Sequence, residues 1–487
     1  MPMSVRNLEP KAVWNHFEDL NAVPRASKKE EKVRQFMKDF GSRLGLETLE
    51  DEIGNVIIKK PATAGMENRE TVIMQSHLDM VHQKNSTTKF DFDTEGIRSF
   101  IDGDWVKAEG TTLGADNGMG VASIMAILES TDIPHPAIEA LFTIDEETGM
   151  TGALNLDGSL LEGKILLNLD TEDDDELCIG CAGGIDTNSE MEVRMEPTPE
   201  GYTGIKLSLT GLTGGHSGMD IILGRANANK IMNRFVLDLY DNHGARIVEI
   251  DGGSLRNAIP RESFVTLAIP ISEAEKIHDS VADYFEEIYA EYETTDPEMS
   301  IEIEDCLCPE QIVSLDDQNK IINAIYSIYN GVYKMSAQIE GLVETSSSLA
   351  RVIVKEGWFK TQSLQRSSVE SSKMDIANTI RAALEAVGSN VQQGGDYPGW
   401  APNASSPILK ETEEIYKKLF NEEPKVQACH AGLECGILGD RVPGLDMISF
   451  GPTIKAPHSP DERVNIKSVQ KFWTYLLEVL KNIPSKN

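Results

Sequence analysis

Three short apolar runs constrain this chain more than any other feature: Thr71-Val72-Ile73-Met74, Ile138-Glu139-Ala140-Leu141-Phe142-Thr143-Ile144 and Lys164-Ile165-Leu166-Leu167-Asn168-Leu169. Each has the length and branched composition of a buried strand and stops at an acidic residue or a histidine. Segments with helical apolar spacing, Trp14 to Asn21, Glu31 to Leu44 and Gly118 to Ser130, alternate with them. That order predicts an α/β fold with a mostly parallel sheet covered by helices. Ligands of such sheets gather beyond the carboxyl ends of the strands. The residues standing there are His77, the adjacent pair Glu146 and Glu147, and Asp170.

Adjacent carboxylates repel, so the pair needs either a solvated loop or a nearby cation. A formal charge of -34 over 487 residues works against nucleic acid and anionic membrane as partners, since those require clustered Lys and Arg. At roughly 150 residues per domain the chain has room for two or three domains with large cores. The first ten residues lack a secretory apolar core, and no apolar run reaches the roughly 18 residues of a membrane span. Six cysteines in a chain this long make no dense disulfide framework, so the expected compartment is the cytoplasm.

Past Gly183-Gly184 the pattern changes. Strand-like Ile205 to Leu209 and Ser263 to Ile269 alternate with helical Arg225 to Tyr240, Glu273 to Tyr292, Gln318 to Tyr333 and Asp375 to Val387, with strand-like Ala350 to Lys355 among them. The α/β pattern resumes after the turn-rich Gly394-Gly395-Asp396-Tyr397-Pro398-Gly399-Trp400. The expected division is a catalytic domain from 1–186 and 397–487 with an inserted α+β domain at 187–396.

Two further candidates sit in restrained turns. Asp116 lies in Leu113-Gly114-Ala115-Asp116-Asn117-Gly118, just before a helix, where a lone Asp reads first as an ordinary helix cap. His458 is flanked by Pro457 and Pro460, which limit its backbone. His77-Leu78-Asp79 places a carboxylate where it can orient an imidazole. Together His77, Asp116, Glu147, Asp170 and His458 offer two imidazoles and three carboxylates, a donor set suited to zinc, manganese or cobalt. With Asp116 shared, each of two metals receives three protein ligands, and Glu146 stands beside them as a base.

These motifs, in this order, resemble the zinc exopeptidase family that includes carnosinases, aminoacylase-1 and glutamate carboxypeptidases. The resemblance runs through Ser76-His77-Leu78-Asp79, Gly114-Ala115-Asp116-Asn117, Asp145-Glu146-Glu147, Asp170 and His458-Ser459-Pro460-Asp461-Glu462. Chain length, Cys178-Ile179-Gly180-Cys181-Ala182-Gly183-Gly184 and His430-Ala431-Gly432-Leu433-Glu434-Cys435-Gly436 are similar to the bacterial aminoacyl-histidine dipeptidases within it.

The resemblance implies two divalent metals, zinc first and cobalt or manganese as alternatives, with His77 and Asp170 on one, Glu147 and His458 on the other, and Asp116 bridging. It implies Glu146 as general base, Asp79 orienting His77, and a cis peptide after Asp116. In the inserted domain it implies His216, in Gly214-Gly215-His216-Ser217-Gly218, as a donor to the developing oxyanion. Asn257 and Gly432 would contact substrate, and Arg366 would pair with its terminal carboxylate. The implied activity is hydrolysis of small peptides, Xaa-His dipeptides including carnosine, by a homodimer whose inserted domain forms the lid and the dimer contact. An N-acyl amino acid hydrolase on the same metals, or a non-catalytic metal-binding protein, are the alternatives. Cys178-x-x-Cys181 invites a redox or structural-zinc reading, but its possible second half, Cys306-x-Cys308, has the wrong spacing for a zinc ribbon, and buried free cysteines are common small apolar residues. His82, His135 and His430 are expected outside the metal ligands.

Overall fold

The computed structural model describes residues 4–486. They form two compact units: one comprises residues 4–180, 400–428 and 433–486, the other residues 181–399 and 429–432.

The first unit is built on an eight-stranded mixed sheet. In spatial order its strands are Glu47–Glu50, Val56–Lys60, Ile138–Thr143, Val72–His77, Ile165–Asn168, Asp446–Ser449, Glu176–Cys181 and Lys425–Cys429. The centre is parallel: Val72–His77 pairs in parallel with both Ile138–Thr143 and Ile165–Asn168, and Asp446–Ser449 with Ile165–Asn168. Parallel strands are covered on both faces, which is why Val72, Ile73 and Met74 are wholly buried rather than alternately exposed. Register then fixes the chemistry, because His77 lies opposite Thr143 and Gln75 opposite Asn168. The strands therefore end side by side, and the chain that follows each one carries a candidate residue.

The helix Ala115–Glu129 begins at Gly114, whose φ of 69° is a left-handed turn that glycine enters without Cβ strain. Asp116 and Asn117 depart from helical geometry inside it, and the peptide between them is cis. A small four-stranded sheet supports the other candidate turn. In it Ile454–Lys455 pairs with Arg463–Asn465, which pairs with Trp105–Ala108, so His458 occupies the loop of a hairpin anchored on that sheet.

The second unit is a nine-stranded antiparallel sheet with the helices Ala228–His243, Ala274–Tyr292, Leu315–Ser327 and Glu370–Ala386. Strand Tyr202–Thr210 shows the two-residue period: Ile205, Leu207 and Leu209 are buried in a core shared with Phe235, Leu239 and Ile321, while Lys206 is exposed. The helix read over Gln318 to Tyr333 is shorter. It ends at Ser327, and Gly331–Met335 is a strand paired with Val343–Lys355. Gly331, at φ 112°, breaks an apolar pattern that otherwise continues. Among the described residues no helix is long and apolar enough to cross a membrane.

Candidate metal centre

His77 ends its strand with 1% of its surface exposed, its Nε2 3.1 Å from Asp116 Oδ1 and 3.6 Å from Asp170 Oδ1. His458 approaches from the hairpin loop, its Nε2 2.9 Å from Glu147 Oε2 and 3.3 Å from Asp116 Oδ2. Asp116 thus turns one oxygen to each imidazole. His77, Asp116 and Asp170 form one group able to hold a metal ion, and Asp116, Glu147 and His458 form another, the donor atoms of each lying within 4.8 Å of one another. Asp170 is held by the side-chain amide of Asn117, which also donates to the carbonyl of Leu169 at 2.8 Å.

Asp79 is completely buried two residues beyond His77, with its Oδ1 3.4 Å from His77 Nδ1. It also accepts the backbone N–H groups of Glu146 (3.0 Å) and Glu147 (3.3 Å). One carboxylate therefore sets both an imidazole and the turn that carries the acidic pair. Asp145 enters that turn at φ 53°, an uncommon conformation for a residue with a Cβ, and the hydroxyls of Thr148 and Thr151 donate to its carboxylate.

The electrostatics of the cluster call for positive charge. Burial drives Glu146 well above its ordinary value, and Asp170, Glu147 and Glu434 add to that rise against the opposing pull of His77. Burial likewise raises Glu147 and Asp170. Hydrogen bonds to Asp116 and Glu147 lift His458 to about 11. Such a set, mutually repelling without protons and rich in oxygen and imidazole donors, fits a pair of divalent cations. Among the described residues, His82, His135, His430 and the six cysteines belong to no metal-capable group.

Behind the acidic pair lies a buried polar chain that sequence reasoning missed. Glu434 Oε2 accepts from Gln75 Nε2 and Thr143 Oγ1, both at 2.6 Å, and Gln75 Oε1 accepts from Asn168 Nδ2 at 2.5 Å. Burial lifts Glu434 to about 8. The polar residues at the ends of three apolar strands were the available signal.

In the second unit, His216 Nδ1 accepts the N–H groups of Gly218 (3.2 Å) and Met219 (3.0 Å). That leaves Nε2 to carry the proton of a neutral ring. Burial, then the charge of Arg366, lowers His216 to about 4. Arg366 is 5% exposed and donates to the Tyr397 hydroxyl at 3.0 Å, and among the described residues its Nε has no hydrogen-bond partner. Gly218 packs against the side chain of Arg366 and the carbonyl of His430, where a Cβ would clash. Asn257 is exposed in a turn, and its carbonyl accepts Ser217 N at 2.8 Å. Gly432 lies in the loop between Lys425–Cys429 and the helix Glu434–Arg441.

Residues 73–482 match the model of peptidase family M20/M25/M40. The chain is also 40% identical over 479 residues to the cytosol non-specific dipeptidase of Escherichia coli, covering 98% of this chain and 99% of that one. The chain belongs to peptidase family M20/M25/M40. The crystal structure of aminoacylhistidine dipeptidase from Vibrio alginolyticus is similar at 42% identity and a TM-score of 0.92, covering 100% of this chain and 99% of that one. An aminopeptidase, PepT from Bacillus cereus, shares the fold at 15% identity and a TM-score of 0.57, covering 98% of this chain and 99% of the other.

Proposed function

We propose that this protein is a cytosolic metallodipeptidase that hydrolyses dipeptides, Xaa-His substrates such as carnosine among them. The observation that carries the reading is the pair of three-residue donor groups sharing Asp116, with Glu146 beside them. Relatives similar over the whole chain, a non-specific dipeptidase and an aminoacylhistidine dipeptidase, support the substrate class.

His77 and Asp170 would hold one divalent metal and Glu147 and His458 the other, with Asp116 shared between them; zinc would suit the donors best, with cobalt or manganese as substitutes. Bound there, the metals supply Lewis acidity and make water more acidic. Glu146 takes a proton from the attacking water and delivers it to the leaving amine as the C–N bond breaks. Asp79 keeps His77 in the tautomer with Nδ1 protonated and holds the backbone of Glu146 in place. The Nε2–H of His216 supports the carbonyl oxygen as it gains charge. Arg366, with its Nε unspent, pairs with the substrate's carboxylate, while Asn257 and the backbone of Gly432 contact the rest. The inserted domain at 187–396 acts as lid and dimer contact.

The test is a panel of Ala-His, carnosine, other dipeptides, tripeptides and N-acetyl amino acids, assayed after chelation and after adding back zinc, cobalt or manganese. Dipeptides should be preferred and activity should return with metal. Preference for the N-acetyl compounds would replace this reading with an acylase.

A further inference from the structure

Glu462 closes the motif that begins at His458, and nothing above gives it work. It is 2% exposed, yet no lysine or arginine pairs with it among the described ion pairs. Its carboxylate faces backbone instead. One oxygen accepts the N–H groups of Leu113 (2.7 Å) and Gly114 (2.9 Å), the other those of Ala115 (2.7 Å) and Asp116 (3.2 Å). Leu113 leads into the helix Ala115–Glu129, Gly114 is its N-cap residue, and Ala115 and Asp116 open it, where amides have no partner within the helix itself. A helix is normally capped from its own turn, whereas this carboxylate arrives from 346 residues away.

The other face of the same turn meets a second buried charge. Arg25, 1% exposed, donates to the carbonyl of Gly114 at 2.5 Å and to those of Leu78 (3.1 Å) and Asp79 (3.2 Å). Arg25 therefore ties the turn before Asp116 to the segment following His77. Glu462 ties that turn to the loop bearing His458. The peptide units around Gly114 are the common anchor, and Asp116 follows immediately, with one oxygen toward each histidine.

We propose that Glu462 and Arg25 are positioning residues that hold the Asp116 turn between the two metal positions, Glu462 governing the one that includes His458 and Arg25 the one that includes His77. The inference rests on the metal-centre reading above. A carboxylate gripping four N–H groups makes charge-assisted bonds, so the turn cannot shift without breaking several at once. Glu462→Gln keeps the length but turns an NH2 group toward two of those donors. Arg25→Lys keeps the charge but loses the fork that spans three carbonyls. Each substitution loosens the turn from one side only.

The experiment titrates cobalt(II) into the chelator-treated full-length protein, following visible absorbance and heat, with Glu139→Gln as a control. Glu139 is a buried carboxylate that also accepts two backbone N–H groups, from Glu162 and Gly163, both at 2.9 Å, at the opposite end of the strand Ile138–Thr143. The unsubstituted protein and Glu139→Gln should bind two equivalents with the same affinities. Glu462→Gln should weaken one step by about 10-fold to 100-fold and leave the other nearly unchanged, the scale seen for groups that orient metal ligands. Arg25→Lys should weaken the other step. Failure of the unsubstituted protein to bind two equivalents would sink the metal-centre reading itself. Two unaltered steps in both Glu462→Gln and Arg25→Lys, or equal weakening of both steps by all three variants, would overturn the clamp alone.

Discussion

Asp79→Asn removes one oxygen from a carboxylate that serves three partners. In the native site Oδ1 accepts Glu146 N and lies 3.4 Å from His77 Nδ1, while Oδ2 accepts Glu147 N. Asparagine retains one acceptor oxygen and turns an NH2 group toward an amide that needs an acceptor. The buried N–H left without a partner costs about 1–3 kcal/mol, and the lost charge-assisted bond about 1.5–3 kcal/mol. Because Asp79 is fully buried, water does not restore either bond. The loss falls on two parts of the chemistry at once, since His77 loses the anion beside Nδ1 and keeps there the Asp79 carbonyl at 3.2 Å, and the Glu146–Glu147 turn loses an anchor. Zinc affinity, measured by competition with a chromophoric chelator, should fall by about 10-fold to 100-fold. The kcat at saturating zinc should remain depressed, because Glu146 is also displaced. A variant whose zinc affinity and kcat both match the unsubstituted enzyme would refute the argument that Asp79 holds His77 and the acidic turn together.

Glu146→Gln should lower kcat on Ala-His by about 10²-fold to 10⁴-fold with the bound metal unchanged by elemental analysis; native turnover would show that another group moves the proton. Arg366→Lys should cost about 10-fold to 100-fold in kcat/KM, mostly through KM, and the loss should shrink when the dipeptide's carboxylate is amidated. An equal loss on amidated substrate would assign Arg366 a structural role. Burial, then Arg366 and His216, lowers His430 to about 3, so the folded state stays neutral while the unfolded chain takes up a proton as pH falls through about 6.5. Stability is therefore lost on acidification, by about 2 kcal/mol between pH 7 and pH 5 from this residue. His430→Gln, compared by urea melts at the two pH values, should lose about that much less; an unchanged acid dependence would exclude His430 as a contributor.

The strand ends were legible because a parallel strand announces itself as a short apolar run, and the next polar residue must stand at the sheet's edge. His77, Glu146, Glu147 and Asp170 are all of this kind, and the parallel register of their strands brings those ends together. Asp116 and His458 carried a weaker signal, a glycine turn and a proline-flanked loop, and only the ordered resemblance joined them to the rest. The helix read through Tyr333 went wrong where apolar residues continue past Ser327, since periodicity registers hydrophobic content and not the Gly331 break that converts it to a strand. Glu462, Arg25 and the tautomer of His216 share a different reason for being hidden: each makes its decisive contacts with peptide groups. A backbone amide or carbonyl has the same chemistry at nearly every position, so nothing in the sequence marks Leu113–Asp116 as partners for a carboxylate 346 residues away. Metal-binding side chains can thus be nominated from sequence pattern, but the groups that hold them at a usable separation emerge only when the fold shows which peptide units face which charges. That division of labour predicts where substitutions will surprise: variants of Glu462 and Arg25 should alter metal affinity although neither side chain belongs to a metal-capable group.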